Sequence, residues 1–208
     1  MTPDLRKLNL TAHVASSVGF LGAVASFLVL SVAGLTSRDV ETVRGAYTAM
    51  NLIGLFAIVP LCLAALLSGI VQSLGTEWGL LRHYWVLVKF MLTIGATILL
   101  LLHQFTAVAG AAKVVSGTSV ETLPSVGRLG TQLAADAGLA IVVLLICTIL
   151  SMYKPWGLTP YGRRIIAPQR PDKGTPLGVK IFFAIVGVFV MGVILAHLTG
   201  HSLGHRSH

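Results

Sequence analysis

Long apolar runs alternate with short polar stretches along the whole chain. The apolar runs cover about residues 8–35, 46–74, 83–105, 133–153 and 177–198. At about 1.5 Å per residue each is long enough, as a helix, to cross a hydrocarbon layer about 30 Å thick. The clearest is Arg82–His103, RHYWVLVKFMLTIGATILLLLH, with a basic-aromatic front, an apolar middle and a histidine near each end. Lipid cannot satisfy exposed backbone N–H and C=O groups, so such runs must close their own hydrogen bonds as helices. The pattern predicts an all-α, polytopic transmembrane helix bundle of about five spans, a single membrane domain over residues 1–208.

The polar stretches between the runs differ in charge. The N-terminus carries Arg6 and Lys7, the 75–85 turn carries Arg82, and the 154–176 loop carries Lys154, Arg163, Arg164, Arg170 and Lys173. The 36–45 turn and the 106–132 loop have nearly balanced charge. Lys and Arg accumulate on the cytoplasmic side of short loops. This alternation predicts the N-terminus inside, the 106–132 loop outside, the basic 154–176 loop in the cytoplasm and the C-terminus outside. Prolines in the basic loop predict an extended, solvated segment. Its Arg163, Arg164 and Arg170 are the expected contacts for anionic lipid headgroups.

Individual positions refine the spans. The first run is too long for the apolar core of a signal peptide, about 7–15 residues, and reads as a retained anchor. Ala15, Gly19 and Ala23 stack on one face and predict close helix approach. Pro60 predicts a kink in the second span; the other spans read as unbroken. Asn51, Ser68 and Gln72 are expected to bond between helices. Lys89, two turns in from Arg82, is expected to snorkel back to the interface. Asp136 suits the first turn of the fourth span, where the helix dipole favours an acid.

Composition narrows the class further. Hydrophobic residues make up 55% of the chain and charged ones 11%, too few charges to cover a water-exposed surface. The net charge of +8 lies between apolar runs, with no basic groove or aromatic stacking platform, so nucleic acid is excluded as a partner. Cys62 and Cys147 both sit inside apolar runs and read as packing residues.

Nucleophile motifs, phosphate-binding glycine loops and HExxH-type metal motifs are absent. Histidine is the remaining chemistry. If alternate spans run parallel, His13 and His83 share one depth and His103 and His197 the other, the layout of axial pairs for two b-type haems. The small residues beside His13 (Ser16, Ser17, Gly19) would then admit the macrocycle. In the tail, His197, His201 and His205 recur every four residues and His208 follows, a spacing at which imidazoles on a helix could hold Zn, Cu or Ni.

Three segments, TAHVASSVGFLGAVASFLVLSVAGLTS, VQSLGTEWGLLRHYWVLVKF and YKPWGLTPYGRR, resemble a group of small integral membrane proteins of actinobacteria and other soil bacteria, grouped as domain-of-unknown-function proteins. The resemblance implies a bacterial inner-membrane setting and the same span layout. It implies no activity, substrate or catalytic residue. Three function classes follow: a non-enzymatic subunit binding lipid or a partner, either another protein or a second copy; a haem b electron-transfer subunit; and a small oligomeric transporter.

Overall fold

A computed structural model of the protein describes residues 2–75, 79–104, 123–154 and 157–166, together with Leu177, Gly178, Lys180, Ile181, Ala184 and Gly187. The described chain is helical: α1 Pro3–Thr36, α2 Val40–Ile53, a π-helical turn Gly54–Ile58, α3 Val59–Leu74, α4 Tyr84–His103, α5 Leu123–Tyr153 and the short α6 Pro160–Ile166. Among the described residues four helices are long and apolar enough to cross a membrane: Pro3–Thr36, Val40–Leu74, Tyr84–Leu102 and Gly130–Tyr153. Most of the fifth predicted span, 177–198, lies outside the described residues; its six described positions are helical and exposed.

Local chemistry sets the helix ends. The Thr2 hydroxyl accepts from the Leu5 N–H and Pro3 opens α1, where its missing N–H costs nothing. Asp39 caps α2 by accepting from the Thr42 N–H at 2.9 Å and its hydroxyl at 2.6 Å. At the end of α5, Lys154 takes a left-handed conformation (φ 45°) and Pro155 follows, so the helix cannot continue. Pro60 cannot donate to the carbonyl four residues back, and its ring would strike that carbonyl in a regular helix. The π turn just before it widens the backbone. The second span is therefore interrupted by a wide turn as well as by its proline.

Helix α1 is central and packs on α2, α3 and α5; α4 packs on α3 and α5. Ser16, Phe20, Val24, Phe27, Ser31 and Gly34 form the buried stripe of α1, at three- and four-residue spacing. It meets Val43, Tyr47 and Met50 of α2, Ile58 of the π turn, Cys62 of α3, and Leu133 and Ala137 of α5. The buried serines are satisfied within their own helix, Ser16 on the His13 carbonyl and Ser31 on the Leu28 carbonyl. Neighbouring helices run antiparallel: Gly34 abuts Tyr47 while Gly19 abuts Leu61, and Gly130 abuts Tyr47 and Leu35. The outward faces carry Val14, Val18, Val29, Phe56, Leu67, Ile98 and Ile149, an apolar exterior suited to lipid.

Two polar segments differ from the sequence reading. The 154–176 stretch contains α6 and is not wholly extended, because Pro160 occupies a position at which proline starts a helix. The 106–132 loop is shorter than its polar composition suggests, since α5 begins at Leu123.

Candidate basic face at one end of the bundle

The antiparallel order gathers charge at one end. The starts of α1 and α4 and the ends of α3 and α5 meet there, bringing Arg6, Lys7, Arg82 and Lys154 together with α6 and its Arg163 and Arg164. The opposite end holds Arg38 and Arg44 against Asp39 and Glu41, with a surface Arg44–Glu41 pair at 3.3 Å.

The basic end is built by a clasp between residues far apart in sequence. The turn before α4 closes at Gly79, whose φ of 55° suits glycine, and the Arg82 N–H reaches the Gly79 carbonyl at 3.4 Å. Thr159 then ties α6 to that turn. Its N–H donates to the Arg82 carbonyl at 2.9 Å and its hydroxyl to the Leu81 carbonyl at 2.6 Å. The same hydroxyl accepts from the Gly162 N–H at 3.0 Å, so one buried side chain both caps α6 and anchors it. The Tyr84 N–H donates to the Gly157 carbonyl at 3.4 Å, and His83 and Leu158 form an antiparallel bridge. Gly162 lies directly on the Arg82 carbonyl, where a Cβ would collide with backbone. Tyr161, Arg164, Ile165 and Ile166 remain exposed, and Arg163 is half-buried. A cationic, aromatic and aliphatic surface of this kind fits the headgroup region of a membrane.

Thr159 and Gly162 do not stand out in the sequence, because neither carries charge. Their one signal is the Thr-Pro pair, a helix cap followed by proline at the first helical position.

The histidines occupy different interfaces. His13 faces α3: its Nδ1 lies 3.0 Å from the Ala65 carbonyl and 3.1 Å from the Ser68 hydroxyl. A carbonyl only accepts, so Nδ1 carries the proton and Nε2 the lone pair. His83 precedes α4 inside the clasp. Both are at the basic end, on separate elements. On the small-residue face of α1 Gly19 meets the Leu61 side chain, and the His13 ring lies against Gly69 of α3. His103 ends α4, with its ring outside the described residues, as are Arg170, His197, His201, His205 and His208. Among the described residues no three His, Cys, Asp or Glu side chains gather as a metal site.

Other polar groups inside the bundle cross between helices. The Asn9 amide donates to the Ser68 carbonyl at 3.0 Å. Lys89 is half-buried and donates to the Ser151 hydroxyl of α5 at 2.7 Å, so its head is turned toward a neighbouring helix. Cys62 and Thr97 pair across α3 and α4 at 3.3 Å, and both cysteines are free and buried. Gln104, 5% exposed, lodges its carboxamide against Gly54 in the π turn and donates to Asn51 at 3.4 Å. No protein-family model, curated protein or solved structure matches the chain.

Proposed function

We propose that the protein is a multi-pass, non-enzymatic subunit of a bacterial cytoplasmic membrane, belonging to the group of small membrane proteins it resembles, and that its basic end holds anionic lipid headgroups on the cytoplasmic side. The observation that carries this reading is the clasp. Thr159 and Gly162 fix α6 on the Arg82 turn, so Arg82, Lys154, Arg163 and Arg164 share one end beside exposed Tyr161, Ile165 and Ile166. Nothing in this arrangement pairs a nucleophile with a base. Its chemistry is charge and apolar contact, which lipid headgroups and acyl chains match. The apolar lateral faces leave room for a partner subunit or a second copy.

The test is lipid retention. Each surface cation near an anionic leaflet contributes about 1 kcal/mol, roughly fivefold in affinity. Arg163→Gln with Arg164→Gln should therefore lower the affinity for anionic over zwitterionic lipid, read as lipid retained through purification, by roughly 25-fold. Unchanged retention in the folded double variant would rule out this face as the contact.

A further inference from the structure

Four spanning helices place polar side chains at one depth, inside the bundle near its basic end: Asn9 and His13 on α1, Ser68 and Gln72 on α3, Lys89 on α4 and Ser151 on α5. The antiparallel pairing fixes this level. Cys62 meets Thr97 across α3 and α4. From that pair, steps of about 1.5 Å per residue bring Ser68–Gln72 and Lys89 to roughly the same depth toward the basic end. Lys89 also lies within electrostatic reach of His13.

Most of the layer is satisfied; two members are not. An ammonium has three N–H donors, and among the described residues the Lys89 head makes one bond, to Ser151. Ser151 gives its own proton to the Cys147 carbonyl at 2.8 Å and so can only accept from Lys89. Among the described residues the buried Gln72 Oε1 has no partner. Unfilled donors and an unfilled acceptor at one level are the setting in which a protein interior holds water. No carboxylate among the described residues is placed to neutralise Lys89. Asp39 and Glu41 are at the opposite end, Asp4 is exposed in the first turn of α1, and Asp136 is fifteen residues from Ser151 along α5, about 22 Å. An ionised side chain inside a membrane bundle without a counter-charge is costly, and such residues mark sites of function.

We propose that this layer is an anion-binding site, with the Lys89 ammonium as counter-charge, Ser151 holding it in place and water around Gln72 completing the shell. The ligand class is a small halide or oxyanion. A lipid phosphate reaching in from the basic end offers the same chemistry as a free ion.

The experiment is thermal unfolding of the full chain in phosphatidylcholine nanodiscs at constant ionic strength. Sodium gluconate is replaced by chloride, bromide or inorganic phosphate; a separate arm keeps gluconate and adds phosphatidylglycerol. Ligand at a hundredfold over its Kd should raise Tm by on the order of 5 °C. Wild type and Lys89→Arg should show the rise, Lys89→Met and Lys89→Gln should lose it, and Ser151→Ala should shrink it. Arg163→Gln with Arg164→Gln should keep it, which separates this site from the surface arginines. A rise in the inorganic arms identifies a free ion, and a Lys89-dependent rise with phosphatidylglycerol alone identifies a headgroup. No rise in wild type under any condition overturns the proposal. So does an equal rise in Lys89→Met or Lys89→Gln, either of which needs only to fold, or loss of the rise in the arginine double variant.

Discussion

Asp39 shows how a single exposed residue writes a pH dependence into a helix end. The Thr42 hydroxyl and N–H both bond its carboxylate, and these bonds hold its pKa below the ordinary value. A group whose folded pKa is lowered stabilises the fold fully above its unfolded pKa, about 4. That contribution falls away as the pH drops through the lowered folded value. The start of α2 should therefore keep its cap to below pH 4. The Thr42 amide shift in NMR should titrate with a midpoint under that of a free aspartate, and Asp39→Asn should abolish the titration. A midpoint at or above the ordinary value would contradict the capping bonds. At this scale the sequence was partly legible. Asn51, Ser68 and Gln72 are expected to bond between helices because a polar side chain surrounded by lipid must find a partner; Asn51 and Ser68 do, and the Gln72 Oε1 finds none among the described residues. The partners of Asn51 and Ser68 were not legible, since Gln104 and His13 lie more than fifty positions away in the chain.

Between elements, the clasp joins α6 to the turn before α4 mainly through backbone groups, which hydropathy and charge do not report. Gly162 is its most exacting position, because a Cβ there would meet the carbonyl carbon and oxygen of Arg82 rather than a side chain that could swing away. Gly162→Ala should force α6 off the turn, at a cost of about 1–3 kcal/mol, typical of overpacking. Circular dichroism of the spans should be unchanged, while protease cleavage within 157–166 rises and anionic lipid retention falls. An uncleaved variant with full lipid retention would show that the clasp does not organise the basic face. The spans themselves were legible because an apolar run must match a hydrocarbon thickness. Their ends were not: α1 starts at Pro3, α2 at Val40 and α5 at Leu123, all earlier than the apolar runs. Hydropathy marks the part of a helix that meets lipid, whereas caps such as Thr2 and Asp39 decide where the helix begins.

For the molecule as a whole, the asymmetry between its ends makes a topological prediction. A reporter inserted within 163–173 should stay in the cytoplasm, and one in the 36–45 turn should be exported, since the basic and balanced ends lie on opposite sides of the bundle. A third reporter fused after His208 should also be exported if five spans are present. The first two reading out on one side would remove the up-and-down arrangement. The π turn carries a different consequence, one of counting. Met50, Gly54, Ile58 and Cys62 are all buried, each four residues after the last. In a regular α-helix each such step overshoots a full turn by about 40°, and three would carry Cys62 about 120° away from the Met50 face. One wide turn absorbs the excess. Deleting a single residue there would leave the composition, apolar length and hydropathy of the span almost untouched. The span could then close as a regular α-helix, since eleven steps of about 100° return Cys62 to within about 20° of the Met50 face. The same deletion elsewhere in the span, with the wide turn kept, would rotate the far part by about 100° and withdraw Ser68 from His13 and Cys62 from Thr97. The wide turn is thus the one place along the second span where a change of length by a single residue leaves both halves facing as before.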